Sequence, residues 1–352
     1  MSNSTFHLDD PLNICATVIM IVTGLVGILL NSLIVYIFAR SPLERSSFDL
    51  MCAFRGASST IILIWAFFGT FVPITFLGAS PFSYAYETVV IGTCNAFYTA
   101  LQYSGFLIAI NRACAMNFPV YYKIIFSFRL TLLFTVVLFG YQIVNVAYEL
   151  ISYVIRLNCF LIYSSSALAW IPYMDPQCNE NVEGAVNRTA LFLGAMIIVN
   201  VATFTKIYLF YKSTGGDENE IKKIVRKNKS LFLQTVLQDA IILADMLFTF
   251  RLSLLSEARI WTFFCGTFIW EFVHVLDGFV MIMFNDRLAY LKKAFFKAST
   301  TPSSVTEVKV FPSDKTSLRI TNLSPNKTGV LLGRTNKINS NCRKKNKSVP
   351  VR

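Results

Sequence analysis

Seven long apolar stretches, each closed by polar or charged residues, divide most of the chain: 13–39, 48–71, 88–111, 130–148, 189–211, 231–255 and 260–284. A helix needs about 20 apolar residues to cross a ~30 Å hydrocarbon layer at ~1.5 Å per residue, and every stretch is near or above that length. The third is free of charged side chains. It carries Cys94 near one end and closes at Asn111-Arg112-Ala113, before the turn Phe118-Pro119-Val120-Tyr121-Tyr122. The pattern predicts an all-α membrane protein, a bundle of seven transmembrane helices. Asp9 and Asp10 precede the first stretch and Arg40 and Arg45 follow it; Lys123 and Arg129 fall between the third and fourth. This bias predicts the N-terminus outside and the C-terminus cytoplasmic. Arg156, Arg188, Arg251 and Arg259 lie at or near outside positions and run against it. Segments 149–187 and 213–230 read as loops, the first outside and the second, highly charged, inside.

Four segments follow: an extracellular N-terminus (1–12), the bundle (13–284), an amphipathic membrane-surface helix (285–297) and a disordered basic cytoplasmic tail (298–352). In the third, Leu288, Leu291 and Phe295 recur at helical spacing among Arg287, Lys292, Lys293 and Lys297.

Composition sharpens the class. Hydrophobic residues make up 54% and charged residues 15%, against about 25% charged in soluble domains. The net charge of +12 arises wholly after Asn285, where a basic tail suits anionic membrane lipid. Nucleic acid is not an expected partner. The eight cysteines are scattered, there are two histidines, and no metal-ligand spacing, phosphate loop or catalytic motif occurs. No enzyme, metal or cofactor is expected. The first 12 residues lack a basic segment, so no cleavable signal peptide is read there. Asn3-Ser4-Thr5 is a glycosylation acceptor. The hydroxyl cluster Ser299, Thr300, Thr301, Ser303, Ser304 and Thr306 offers phosphorylation sites that could recruit an arrestin-like partner.

Ionisable groups inside spans are costly and mark function by default. Asn31, Arg55, Asp239 and Asp277 all fall about 12–15 Å from the predicted inner edge. They form a candidate buried polar layer in which Arg55 pairs with Asp277, Asn31 donates a hydrogen bond and Asp239 is a second acid. The alternative is that each is satisfied within its own helix neighbourhood. Tyr98 and Gln102 on the third span, Asp245 on the sixth, and Glu271 and His274 on the seventh are candidates for a small-molecule cleft open to the outside. The alternative is that they pair with one another or with Arg251 for packing. A retinal protein needs a lysine in its seventh span, and 260–284 has none. A seven-span transporter or a non-signalling membrane protein is the competing class. The lack of an internal repeat, and of proline in spans three to seven, weighs against transport.

Several motifs then carry a resemblance. Cys94 and Cys178, Gly27 and Asn31 in GILLN, and Arg112 in its triplet resemble a G-protein-coupled receptor over about residues 12–297. The acid and the aromatic that usually flank the arginine are replaced by Asn111 and Ala113. Span seven shows Asp277-Gly278 and Phe284-Asn285 instead of the usual Asn-Pro-x-x-Tyr. The phrases NSLIVYIF, FDLMCAFRGASS, NRACAMNFPVYYKIIFS, LFLQTVLQD and HVLDGFVMIMFN are similar to nematode serpentine chemoreceptors, most of all class X. The resemblance implies a Cys94–Cys178 disulfide, with Cys159 as the competing partner in the same loop. It also implies a small-molecule ligand outside, a heterotrimeric G protein inside, and a place in the plasma membrane of a sensory cilium. Arg112, lacking its acid neighbour, is expected to be freer to meet the G protein, with Tyr121 and Tyr122 beside it.

Overall fold

The first helix, α1 (Pro11–Arg40), shows how the chain solves its solvent problem. Val18, Val22, Leu25 and Leu29 recur on one face and stay exposed, while Met20, Gly24, Gly27, Asn31 and Ile34 are buried on the other. The polar groups of this helix turn inward and the aliphatic groups outward, as lipid requires and water forbids. A computed structural model describes residues 10–40, 46–156, 159–172, 182–213 and 218–284. Among these, seven long helices form the bundle.

Helix α2 runs over Ser47–Leu77. It starts at a capping box in which Ser46 and Asp49 satisfy each other's backbone N–H groups. Midway it widens into a π-helical stretch, Leu63–Phe71, and Pro73 follows directly. Proline has no N–H to donate, and the shifted register absorbs that loss: the Val72 N–H reaches Phe67, five residues back. Helix α3 (Tyr84–Asn117) lies centrally, packed on α2 and on three helices that follow: α4 (Phe128–Leu150), α5 (Val182–Ser213) and α6 (Glu218–Phe250). The last helix, α7 (Arg259–Phe284), returns against α1 and α6. Six of the seven are apolar and long enough to cross a membrane by length and composition alone; α3, with buried Glu87, Gln102, Ser104, Asn111 and Arg112, is the exception.

Two segments differ from the loop assignments. The charged stretch after α5 is mostly helix, since α6 begins at Glu218. Glu, Lys and Arg are good helix formers, and their charge reflects the surroundings of the backbone rather than its conformation. The segment after α4 contains a β-hairpin, with β1 (Leu161–Ser164) antiparallel to β2 (Ala169–Pro172). The hairpin does not float over the bundle. Tyr163 and Leu168 join Met20, Phe67, Phe71, Cys94 and Trp270 in one core. Glu87 at the start of α3 accepts the Tyr163 N–H at 2.8 Å, and Thr267 of α7 donates to the Leu168 carbonyl at 2.7 Å. Leu168 has φ of 55°, unusual for leucine, and full burial holds it there. Burial also pushes the Tyr163 hydroxyl up to about 12, so it stays neutral. Arg259 fastens the same end: it pairs with Asp10 at 2.7 Å and donates to Asn13 and to the Ser165 carbonyl. The guanidinium holds the Asp10 carboxyl below its usual range.

Asn3, Cys178, the amphipathic segment 285–297 and the hydroxyl cluster from Ser299 to Thr306 lie outside the described residues.

Candidate functional site

Beneath the hairpin, a cavity of about 650 Å³ opens between α3, α4, α6 and α7. Tyr98 reaches it from α3, with Asn95 and Ile91 one and two turns nearer the hairpin. Asp245 and Thr249 reach it from the C-terminal end of α6, four residues apart, so helical geometry aligns them, and Ser253 joins them from the short 3-10 turn Leu252–Leu255 just beyond that helix. Phe160 and Trp170 close it from the hairpin segment, and Trp270 forms part of the floor. The Tyr98 hydroxyl donates to Asp245 Oδ2, and the Tyr98 ring stands edge-on to both Trp270 and His274. Glu149, at the end of α4, also faces the cavity and accepts a hydrogen bond from Asn145 at 3.1 Å.

Of the five sequence candidates for the ligand cleft, the structure brings Tyr98 and Asp245 to this cavity. Gln102, one turn further along α3, is buried but does not line it. Glu271 and His274 sit on the α1–α2 side of α7. His274 Nδ1 lies 3.2 Å from Ser59 Oγ, and Glu271 Oε1 lies so close to Gly24 that a Cβ there would meet it at 2.8 Å. Asn95, Glu149, Thr249, Ser253 and the hairpin aromatics were missed. Thr249 and Ser253 were legible in principle, as i+4 and i+8 neighbours of Asp245. The hairpin residues were not, because nothing in their spacing shows how a loop folds back.

A second polar cluster lies deeper, on the side away from the hairpin. Arg55 of α2, only 2% exposed, meets Asp277 of α7: Nη2 to Oδ1 is 2.6 Å and Nε to Oδ2 is 3.3 Å. Its Nη1 donates to the Leu101 carbonyl of α3 at 3.0 Å, and Gly105 leaves the room, since a Cβ there would stand 3.1 Å from Nη1. Gln238 of α6 donates to the same Asp277 oxygen at 2.7 Å. The cluster thus joins four helices through one ion pair, each charge further satisfied by hydrogen bonds, which a buried pair requires. Asn31 differs from expectation. Its amide donates to the carbonyls of Gly27 and His274, not to the ion pair. Gly278 is what admits it, because a Cβ there would lie 2.9 Å from Asn31 Nδ2. Asp239 points to α5, where Asn200 donates to it at 2.5 Å. One residue is 100° of helix, so Gln238 and not its charged neighbour faces the pair.

At the far end of α3, Arg112 is 8% exposed and lies over the Phe48 ring, 5.1 Å from its centroid. It is withdrawn against α2, where the ring face of Phe48 attracts the guanidinium. Tyr121 and Tyr122 sit on a short helix, Pro119–Ile125; Tyr121 is exposed and Tyr122 stacks on Phe126.

The disulfide expectation is corrected. Cys94 is a free thiol, fully buried in the core beside α2, whereas Cys159 is disulfide-bonded to a partner outside the described residues. The hairpin's approach brings Tyr163 and Leu168, not a cysteine, into the core around Cys94.

Comparison with known proteins agrees with this architecture. The model of the serpentine type 7TM GPCR chemoreceptor family Srx matches residues 21–285. Serpentine receptor class X 45 of Caenorhabditis elegans is 24% identical over 300 residues, covering 79% of this chain and 80% of that protein. The family match takes in helical sequence from α1 to the end of α7, and with it the cavity and the buried ion pair. The chain belongs to the serpentine 7TM GPCR chemoreceptors of the Srx family.

Proposed function

We propose that this multi-pass chemoreceptor binds a small molecule in the cavity beneath the hairpin and activates a heterotrimeric G protein at the opposite end of the bundle. The observation that carries the reading is the position of α6. One face of that helix presents Asp245 to the cavity and, seven residues or about 10 Å away, Gln238 to the Arg55–Asp277 pair. A ligand that moves Asp245 moves the contact that helps hold α6 to α7. A bundle with two discrete packings can convert such a shift into a change at its far end. In this reading the N-terminus and hairpin are outside, and the end of the bundle that carries Arg112, Tyr121 and Tyr122 is the cytoplasmic end that meets the G protein. The basic tail meets membrane lipid and, once phosphorylated, an arrestin-like protein. The plasma membrane of a sensory cilium is the proposed location, and no catalysis is assigned.

The test is second-messenger output in cells expressing the chain, screened against a small-molecule panel. The expected result is a ligand-evoked signal that falls at least tenfold in Arg112→Ala at equal surface expression. Uptake of a labelled panel compound into proteoliposomes, without any second-messenger change, would instead identify a transporter.

A further inference from the structure

The chemistry of the cavity wall points to the class of its ligand. This step rests on the reading of the cavity as the ligand site. Asp245 is 4% exposed, and among the described residues its two oxygens accept only from neutral hydroxyls, those of Tyr98 and Thr249. No cation pairs with it among the described residues. Glu149 brings a second carboxylate to the same cavity, and none of the described lining residues is Lys, Arg or His. A buried carboxylate held by neutral donors alone keeps a large part of its desolvation cost, and an opposite charge at contact distance would offset it.

The rest of the wall suits an organic cation rather than a metal ion. Tyr98, Phe160, Trp170, Phe250 and Trp270 line the same cavity. Ring faces attract ammonium and guanidinium groups while packing against their hydrocarbon parts. A metal would need several oxygen or nitrogen ligands converging on one point, and among the described residues no group of His, Cys, Asp and Glu does so. A cavity of about 650 Å³ is of the size that encloses a small organic molecule. We infer that the cavity takes a small organic cation, an amine or quaternary ammonium compound, whose charged nitrogen meets Asp245 and whose apolar part lies among the aromatic rings.

The experiment uses the full chain purified into lipid nanodiscs and direct calorimetric titration. The probes are amines, each matched with the alcohol and the carboxylate on a similar carbon skeleton, beginning with 2-phenylethylamine, 2-phenylethanol and phenylacetate. The amines should bind at least tenfold more tightly than their alcohols, and the carboxylates should not bind. Asp245→Asn should weaken the amines tenfold or more and leave the alcohols within about twofold. Alcohols or carboxylates that match or exceed the amines, and that evoke a second messenger, would overturn the cation and leave the receptor reading intact. Absence of binding by every probe would overturn the cavity as a ligand site, and the cation with it. Comparison of matched probes needs no variant, so the proposal can be refuted even if Asp245→Asn does not fold.

Discussion

All three guanidinium nitrogens of Arg55 and both carboxylate oxygens of Asp277 are hydrogen-bonded, to each other or to two further helices. Removing one partner of such a pair leaves a buried charge uncompensated, at a cost of about 3–5 kcal/mol. Arg55→Asp and Asp277→Arg should therefore each abolish most surface expression or lower the melting temperature of solubilised receptor strongly. The double exchange should recover part of the loss. Recovery will be incomplete, because the Leu101 carbonyl would then face a carboxylate and not a guanidinium. A double variant no better than the worse single one would show that the pair contributes nothing as a pair. Gln238 itself shows what residue-level reading misses. Charge draws the eye to Asp239, and equal depth from the membrane edge makes it a plausible partner. Depth is one coordinate of a helix position and angle is the other. Angle is set by how α6 rolls against α5 and α7, which no single-chain pattern records.

At the scale of elements, the hairpin has more consequence than its eight strand residues suggest. Its tip is anchored by Thr267, its edge by Glu87, and its aromatics complete the main core. Maleimide labelling of the denatured, unreduced chain should modify Cys94 and spare Cys159. Cys159→Ser should lower the thermal stability of solubilised receptor by more than Cys94→Ala. A disulfide closing such a segment contributes about 2–4 kcal/mol, whereas trimming a thiol to a methyl leaves only a small void. Labelling of Cys159 would overturn the assignment. The seven helices were legible because lipid imposes one rule on every span, and apolar length reads it out. Even α3, whose Gln102, Ser104, Asn111 and Arg112 dilute its hydropathy, stood out because residues 88–111 within it carry no charge. The hairpin was illegible for the opposite reason. Strands of four residues carry too little alternation to be seen, and their place is fixed by contacts with Phe71, Glu87 and Thr267, far away in sequence.

At the scale of the whole molecule, the contacts that close the bundle join its first and last parts. Arg259 ties α7 to the start of α1 and to the hairpin, Asn31 ties α1 to α7, and Arg55 finds its acid 222 residues later. That separation sets a problem for biosynthesis. At about 5–20 residues per second, a ribosome needs roughly 10–45 s to travel from the codon of Arg55 to that of Asp277. Throughout that interval α2 must occupy the endoplasmic reticulum membrane with an unmatched arginine, at about 2.5–3.5 kcal/mol on insertion scales. Its strongly apolar remainder lets it enter, but not rest comfortably in lipid. The translocon or an insertion chaperone should therefore hold α2 until α7 is delivered. A photo-reactive residue placed beside Arg55 should cross-link to that machinery in nascent chains halted after Phe250, and lose the cross-link once Asn285 has emerged. Equal cross-linking at both lengths would show that α2 never waits. If it does wait, the same arginine that fastens the finished receptor makes its manufacture a race between the ribosome and the membrane's quality control.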